Sequence, residues 1–249
     1  EQGSSEWLQA RLGLLTASEM KLIMTAAKLL YANNEKAATH LFDIAAQRIT
    51  DYIEPAFCGY DMQRGQFEEQ EARQVYDTHY SKTDLCGFVT NDKWGFHLGY
   101  SPDALVGEDG LIECKSRKSK FQVQTIIDNE VPPEFMIQIQ TGLLVTERAW
   151  MDFISYSGGM PMFVKRVTPS KIIQDAIIAV ATEFHRRLDE ILILYKNNAE
   201  QFYMTERKIY EYMDDVITIE TPADKKALLN FDKDLPGNKE NFLFGKVKP

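Results

Sequence analysis

Residues 98–116, LGYSPDALVGEDGLIECKS, form the stretch that decides how the rest of the chain is interpreted. Two strand-like segments flank the turn-rich break at 107–110, and this pattern predicts a β-hairpin. Alternation along the second strand directs Glu113 and Lys115 to the same face. Antiparallel pairing across the turn brings Glu113 back toward Asp103. The stretch therefore predicts two carboxylates and one ammonium group at a single place in the fold.

Such a cluster is unfavourable unless a cation or an anionic substrate occupies it. Mg²⁺ prefers oxygen ligands, usually one or two carboxylates together with water and substrate phosphates. Lys115 adds a positive charge beside a phosphate, so the set suits metal-assisted phosphodiester hydrolysis. A Pro-Asp pair and a Glu-x-Lys triplet are each common, and on this stretch alone a half-exposed hairpin with ordinary surface charges stays open.

Length and composition describe one ordinary globular domain. The chain has 249 residues, 44% of them apolar, and this length buries a sizeable core without a run that reaches membrane-span length. The three cysteines (58, 86 and 114) are scattered without a C-x-x-C, which predicts neither a disulfide framework nor a zinc or iron–sulfur site. With no secretory signal pattern, we expect a cytoplasmic protein.

The net charge of −9 argues against a generally basic surface for nucleic acid, but it permits a locally basic channel. The run KSRKSK at 115–120 follows the acidic strand directly. It fits phosphate contact beside the acids, and it equally fits a solvated helix start. No Walker-type phosphate loop, nucleophile elbow or dinucleotide fingerprint is present in the sequence.

Periodicity predicts an α/β or α+β domain in which helices flank a mostly antiparallel sheet. The domain is predicted to span residues 1–205. Residues 206–249 are predicted to form a C-terminal extension that packs on the domain, a neighbouring subunit or a partner. The predicted helices span 5–12, 16–28 (capped by Thr16 or Ser18), 35–52, 63–81, 134–145 and 171–203, with strands within 85–156 and at 163–167.

Four further side chains are candidates for the same site. Glu69 shares a predicted helix face with the small Ala72, although on this segment alone a surface pair between Glu69 and Arg73 is the favoured explanation. Gln138 is an amide in an apolar segment that needs a partner if it is buried. Arg11 offers a fork of donors suited to phosphate, and Ser18 precedes a helix start that is a natural anion site. A plain N-cap and a surface arginine remain the alternative.

Together these segments resemble the phage lambda exonuclease type of the PD-(D/E)xK nucleases, the viral recombinase type that includes prophage-encoded bacterial alkaline exonucleases. The resemblance spans residues 5–156, and the joint pattern is much more specific than any one of its elements. It consists of Trp7-x3-Arg11-x-Gly13-x2-Thr16-Ala17-Ser18, Gly65-x3-Glu69-x2-Ala72-Arg73, Ser101-Pro102-Asp103, Glu113-x-Lys115 and Gln138-x-Gln140.

The resemblance implies a central mixed β-sheet flanked by helices, the restriction-endonuclease-like fold. It implies processive, Mg²⁺-dependent 5′→3′ degradation of one strand of linear double-stranded DNA, with Mn²⁺ as a substitute metal and a 3′ overhang as product. It also implies a ring-shaped homotrimer that acts with a single-strand annealing protein in homologous recombination, and no association with membranes.

The resemblance also assigns roles to residues. Asp103 and Glu113 are expected to bind Mg²⁺, with the main-chain carbonyl of Cys114 as a further ligand. Glu69 is expected to complete the acidic site. Lys115 is expected to position or deprotonate the attacking water and to offset developing charge.

Gln138 is expected to orient the attacking water or Lys115, while Arg11 and Ser18 are expected to hold the 5′-phosphate end. The chain departs from the family after Lys115, where the segment is rich in Arg and Lys and short of aromatic residues and proline. That departure leaves the separation of the strand ends open.

Two alternatives accompany this interpretation. The first is another nuclease of the same fold, such as a restriction endonuclease or a CRISPR-adaptation nuclease, although the latter usually carries a four-cysteine iron–sulfur site. The second is a catalytically silent DNA-end-binding scaffold, which is disfavoured because Asp103, Glu113 and Lys115 are all present.

Overall fold

The computed structural model describes residues 4–54 and 59–208. The helices are α1 Ser5–Arg11, α2 Met20–Ile23, α3 Glu35–Thr50, α4 Tyr60–His79, α5 Ser119–Asp128, α6 Pro133–Thr146 and α7 Lys171–Ala199. The strands are β1 Leu15–Thr16, β2 Met24–Thr25, β3 Leu30–Tyr31, β4 Val89–Asn91, β5 Leu98–Tyr100, β6 Ala104–Val106, β7 Gly110–Ser116, β8 Trp150–Tyr156 and β9 Phe163–Val167. Within the described ranges, no helix is both long and apolar enough to cross a membrane.

The central sheet has four strands in the order β6-β7-β8-β9 and is mixed. Strands β7 and β8 are parallel along their whole length, whereas β6 and β9 pair antiparallel with their neighbours. The expectation of a mostly antiparallel sheet is wrong for the longest pairing, because helices α5 and α6 form a crossover between β7 and β8. The mixed, helix-flanked sheet that the family resemblance implies is confirmed.

The predicted hairpin exists, but its first strand is β6 rather than residues 98–100. Strand β5 belongs instead to a separate sheet, in the order β1-β5-β4, where it runs parallel to β1. Pro102 lies between β5 and β6, and its missing N–H and restricted neighbour interrupt the ladder there. The short break leaves Asp103 immediately ahead of β6.

The two faces of β7 contact different helices. Leu111 packs into the larger core with residues of α6 and α7, whereas Ile112 and Cys114 pack into a smaller core beneath α4. Ala72 is fully buried in that smaller core, which confirms that a small residue lets α4 approach the sheet. The alternation predicted for β7 therefore sorts its side chains into two environments.

Two helix predictions are wrong. The helix predicted at 16–28 is reduced to the four residues of α2, since β2 and β3 pair as a hairpin directly after it. Helix α5 is predicted only as a possible helix start within the basic run 115–120, and its body is assigned to strands, because its segment 123–127, VQTII, is rich in β-branched residues. The other helices lie within three or four residues of their predicted bounds.

The predicted C-terminal extension lies outside the described residues, apart from 206–208. Residues 203–208 have no regular secondary structure. The boundary at residue 205 stays a prediction.

Candidate active site

One cavity of about 200 Å³ is lined by residues of α1, α4, α6, β5 and β7 and by the segments next to them. It brings together residues that are far apart in the sequence. Every side chain predicted for the site from the sequence lines this cavity: Arg11, Ser18, Glu69, Asp103, Glu113, Cys114, Lys115 and Gln138. Its other lining residues are Trp7, Thr16, Ala17, Phe88, Tyr100 and Ser101.

Glu113 is the most contacted acid of the cavity, and its exposed fraction is only 1%. Its Oε2 accepts a hydrogen bond from the Tyr100 hydroxyl at 2.6 Å, and its Oε1 accepts one from Gln138 Nε2 at 2.6 Å. Lys115 Nζ lies 2.5 Å from Oε1 of the same carboxylate. Three side chains thus hold Glu113 in one orientation, as expected for a group whose direction matters.

Asp103 is 9% exposed, and its Oδ2 accepts a hydrogen bond from the Cys114 main-chain N–H at 2.5 Å. This contact exists because β6 pairs with β7 only as far as Ala104 opposite Ile112. Beyond that register the edge of β7 faces Asp103 instead of a strand. Since the N–H and C=O of one strand residue point to the same edge, the Cys114 carbonyl is directed to the side where Asp103 lies.

Glu69 extends from α4 into the cavity, and it also lies 3.9 Å from Arg73 Nη1. The surface pair between Glu69 and Arg73 that the sequence suggested is therefore present, and Glu69 also lines the cavity. Burial, together with the charge of Glu113, raises the pKa of Glu69, while Arg73 opposes the rise. Glu69 is thus a third acid of the cavity, and the nearby Arg73 partly offsets its charge.

The cavity carries more acid than base. Burial raises the pKa of Asp103 well above its usual range, and the charges of Glu113 and Glu69 add to the effect. Burial by itself lowers the pKa of Lys115, but the Glu113 and Asp103 carboxylates outweigh it and raise the pKa above its ordinary value. Crowded carboxylates whose ionised forms are disfavoured are a frequent mark of functional sites.

The acidic residues fit a hard divalent cation. Asp103 and Glu113 provide buried oxygen donors, and the unpaired edge of β7 adds the Cys114 carbonyl. Across the described part of the chain, no three His, Cys, Asp or Glu side chains converge as a ready metal-binding group. A cation at this place therefore relies on two carboxylates, one main-chain oxygen and water.

Arg11 lies in the same cavity, with its guanidinium 4.2 Å above the centre of the Trp7 ring. The Trp7 indole N–H donates to Ser101 Oγ at 2.7 Å, and this bond joins α1 to the Ser101-Pro102-Asp103 segment. Arg11 Nη2 donates to Thr16 Oγ1 at 3.4 Å, and the Ser18 hydroxyl lies 3.2 Å from the same oxygen. Arg11 is thus a part-buried residue of the site rather than a surface arginine.

The predicted helix cap at Thr16 or Ser18 is wrong. The N-cap of α2 is Glu19, which makes no side-chain capping bond, and α2 has only one turn. Ser18 lines the cavity through its place in the loop, without a long helix behind it.

The basic run at 115–120 contributes only Lys115 to the cavity. Arg117 instead pairs with Glu134 at 3.1 Å and lies 5.1 Å from the ring centres of both Phe121 and Phe135. Arg117 therefore links the end of β7 to α5 and α6, whereas Ser116 contacts Arg64 and Glu68 of α4. The interpretation of the run as a phosphate-binding strip is not supported beyond Lys115.

Gln138 and Gln140 have different environments although only one residue separates them. Gln138 donates to Glu113, as described, whereas Gln140 is buried away from the cavity. Its Nε2 donates to the Thr168 carbonyl at 2.9 Å and its Oε1 accepts from the Ser170 N–H at 2.7 Å. Gln140 thus ties α6 to the loop before α7.

Sequence reasoning missed Tyr100 and Phe88. The signal for Tyr100 was its place beside the Ser101-Pro102-Asp103 motif, on a strand whose residues 98–100 are all buried. Phe88 lies over Gly99 so closely that a Cβ at Gly99 would lie 2.1 Å from its ring. No spacing rule connects Phe88 with Gly99, so only the pairing of β4 with β5 reveals it.

Comparison with known families gives one family match. Residues 6–149 match the model of the YqaJ-like viral recombinase domain. The match confirms the resemblance that the motifs predict. Among curated proteins, no significantly similar sequence is found.

Solved structures point the same way. The crystal structure of an alkaline exonuclease, LHK-Exo from Laribacter hongkongensis, is 28% identical with a TM-score of 0.70, over 79% of this chain and 98% of that chain. The structure of LHK-Exo in complex with dAMP is 28% identical with a TM-score of 0.66, over 79% and 99% of the two chains. A phage-related exonuclease from Haemophilus somnus 129PT, 11% identical over 72% and 96% with a TM-score of 0.52, shares the fold.

Proposed function

The chain belongs to the YqaJ-like viral recombinase family and is an exonuclease of the lambda type, and we propose that it is a Mg²⁺-dependent 5′→3′ exonuclease. The proposed substrate is linear double-stranded DNA, entered preferentially at a 5′-phosphorylated end. One strand is degraded and a 3′ single-stranded overhang remains for homologous recombination.

One observation carries the proposal: the acids of β7 and the Arg11–Ser18 group line the same cavity of about 200 Å³. In this proposal Arg11 and Ser18 bind the terminal phosphate, and Asp103 and Glu113 act on the phosphodiester that follows it in the same cavity. Binding of the end and hydrolysis of the first bond are thereby coupled, which favours an exonuclease over an endonuclease.

Asp103, Glu113 and the Cys114 carbonyl are the residues that would hold the cation. A bound divalent cation supplies Lewis acidity, which offsets charge on the phosphate oxygens and makes water a stronger nucleophile at neutral pH. Asp103 and Glu113 are like charges in a buried place, so a cation held between them would favour their ionised forms.

The remaining residues orient the reactants. Lys115 carries a positive charge beside Glu113, where it can hold the attacking water and offset negative charge that develops on the phosphate oxygens. Gln138 lines the same cavity and fixes Glu113 from α6 through its Nε2. Glu69 lines the same cavity and would complete the acidic site through a water between it and the cation.

The finer assignments rest on the family. We propose a ring-shaped homotrimer, a single-strand annealing protein as partner, Mn²⁺ as a working substitute for Mg²⁺, and action in the cytoplasm. The complex of the similar LHK-Exo with dAMP supports a mononucleotide-sized product site.

The test uses linear duplex DNA labelled at one end, with a 5′-phosphate or a 5′-hydroxyl, in Mg²⁺ or EDTA, alongside a covalently closed circle. We expect Mg²⁺-dependent release of mononucleotides from the 5′-phosphorylated end, slower release from the hydroxyl end and an intact circle. Cutting of the circle would establish an endonuclease of the same fold. Binding of ends without any cleavage in Mg²⁺ or Mn²⁺ would establish an end-binding scaffold.

A further inference from the structure

Glu19 lies outside the lining of the cavity and contacts the residues that were assigned to the phosphate end. Its Oε2 accepts from the Thr16 main-chain N–H at 3.1 Å and from the Thr16 hydroxyl at 2.6 Å. Its Oε1 lies 3.6 Å from Arg11 Nη2. One carboxylate thus contacts both the strand and the helix that carry the Arg11–Ser18 group.

We propose that Glu19 is the positioning residue of the terminal-phosphate pocket, and that it sets the enzyme's discrimination between 5′-phosphorylated and 5′-hydroxyl DNA ends. This inference rests on the proposed function, because it takes Arg11 and Ser18 as the groups that bind the phosphate.

The first step of the argument is the direction of the hydrogen bonds. The Thr16 hydroxyl has a single proton. It donates this proton to the Glu19 carboxylate, because a short hydrogen bond to a charged acceptor is the strongest one available to it. A lone pair of Thr16 Oγ1 is then left to accept from Arg11 Nη2, and the Ser18 hydroxyl, 3.2 Å from the same oxygen, keeps its own proton for a phosphate. Glu19 therefore makes Thr16 an acceptor for Arg11.

The second step concerns Arg11. A guanidinium has five N–H donors in a rigid plane, and Thr16 and Glu19 contact it through the same nitrogen, Nη2. The Trp7 ring lies against its face. These contacts fix the plane of the guanidinium and leave its other edge for a phosphate, so little side-chain entropy is lost when the DNA end binds.

The third step concerns what supports Glu19 from the protein interior. His40 is 6% exposed, and its Nε2 lies 3.9 Å from Glu19 Oε2 without a hydrogen-bond partner in the described part of the chain. Its ring stacks on Phe184 at 5.8 Å between centres. A packed side chain on this side leaves Glu19 little freedom to turn away from Thr16.

The test compares Glu19→Ala with Glu19→Gln. The amide of glutamine still accepts both bonds from Thr16, whereas alanine accepts none. We measure kcat and KM for the first cleavage on 5′-phosphorylated and 5′-hydroxyl duplexes. Glu19→Ala is expected to lower the phosphate-to-hydroxyl ratio of kcat/KM about tenfold, mainly through KM on phosphorylated ends. Glu19→Gln keeps the bonds from Thr16 but turns an amide NH2 group toward Arg11 Nη2, so it is expected to lose less of the ratio than Glu19→Ala does.

A merely structural lesion would lower the rate on both ends equally and leave the ratio unchanged, and that result for Glu19→Ala would overturn the inference. A ratio lost as completely in Glu19→Gln would overturn it too, since charge and not position would then be responsible. Glu108→Gln, in the exposed turn before β7, is the matched control and leaves ratio and rate unchanged.

The Arg11→Ala variant distinguishes a failure of the role proposed for Glu19 from a failure of the proposed phosphate pocket. We expect it to remove most of the preference for phosphorylated ends. An unchanged preference in Arg11→Ala would refute the phosphate pocket itself. A lost preference in Arg11→Ala with an unchanged one in Glu19→Ala would refute only the role of Glu19.

Discussion

Strands β7 and β8 each carry a buried carboxylate, and the two are neutralised very differently. Asp152 on β8 is 4% exposed and accepts from Arg166 Nε and Nη2 at 2.8 and 2.9 Å. The Tyr76 hydroxyl adds a third bond at 2.6 Å. The guanidinium of Arg166, whose side chain is 54% exposed, forms a bidentate ion pair with this buried acid and neutralises its charge.

Glu113 on β7 is buried to the same degree, but one ammonium group serves a cluster that also includes Asp103 and the partly neutralised Glu69. Its other two partners, Tyr100 and Gln138, are neutral donors that orient the carboxylate without cancelling its charge. The register places Glu113 on the face of the sheet opposite to Asp152, next to the cavity and α6.

The difference indicates where this fold holds its function. A carboxylate with a full complement of partners contributes to packing and has nothing left to bind. A buried carboxylate cluster with excess negative charge destabilises the folded protein, and a bound cation offsets that destabilisation. The comparison therefore predicts that changes at the two places separate activity from stability.

The largest effect is expected from Asp103→Asn. It removes a charged oxygen from the proposed cation site and should lower cleavage at least about a thousandfold, while duplex binding persists. Because it also relieves repulsion between buried acids, the metal-free protein should unfold at the same or a higher temperature. Cleavage assays and thermal unfolding check both outcomes, with Asp109→Asn in the exposed turn as control. Retained cleavage would remove Asp103 from the site.

Lys115→Met is expected to come next. Methionine fills the space of the lysine stem without its charge, and turnover should fall about a hundredfold with little change in KM. Single-turnover kinetics measure the loss, and Lys82→Met on the surface is the matched control. A change in KM alone would mean that Lys115 binds DNA and does not take part in hydrolysis.

A smaller effect is expected from Tyr100→Phe, which removes only the hydroxyl that donates to Glu113 Oε2. With the ring still packed, turnover should fall about tenfold, the order expected for one hydrogen bond to a charged group. Circular dichroism should be unchanged. Tyr80→Phe, on an exposed side chain of α4's C-terminal end, should be silent. Equal losses in both variants would point to a general defect.

The smallest effect on activity is expected from Asp152→Ala. It leaves the buried Tyr76 hydroxyl and Arg166 without their acceptor, and the free energy of unfolding should fall by about 2 kcal/mol. Turnover at a temperature where the variant stays folded should match the wild type. Urea unfolding measures the loss of stability, and the cleavage assay measures turnover. An Asp152→Ala variant that is stable but inactive would mean that Asp152 serves activity and not stability.

Much of the site follows from local pattern. The alternation along β7 places Glu113 and Lys115 on one face because the strand repeats every two residues, and their 2.5 Å contact agrees with it. The glycine-rich turn before β7 is likewise local. The body of helix α5 escaped prediction because its β-branched residues favour a strand and packing against β8 and β9 overrides that preference.

Other features have no local signal. Gln138 and Gln140 look equivalent in sequence, yet one reaches Glu113 and the other reaches the Thr168–Ser170 loop, because α6 is buried on nearly all sides. The Trp7–Ser101 bond joins residues 94 positions apart. Contacts of this kind depend on how whole elements pack against each other.

From its residues alone this chain is identifiable as a lambda-type exonuclease with Asp103, Glu113 and Lys115 in one cluster, because motifs and strand periodicity are properties of neighbouring residues. Tertiary packing determined the features that residues adjacent in sequence do not specify. These features are the parallel pairing of β7 with β8, the hydrogen bond from Tyr100 to Glu113, and the contacts of Glu19 with Thr16 and Arg11. Those features arise where separate elements meet, and the burial of apolar surface fixes that meeting for the chain as a whole.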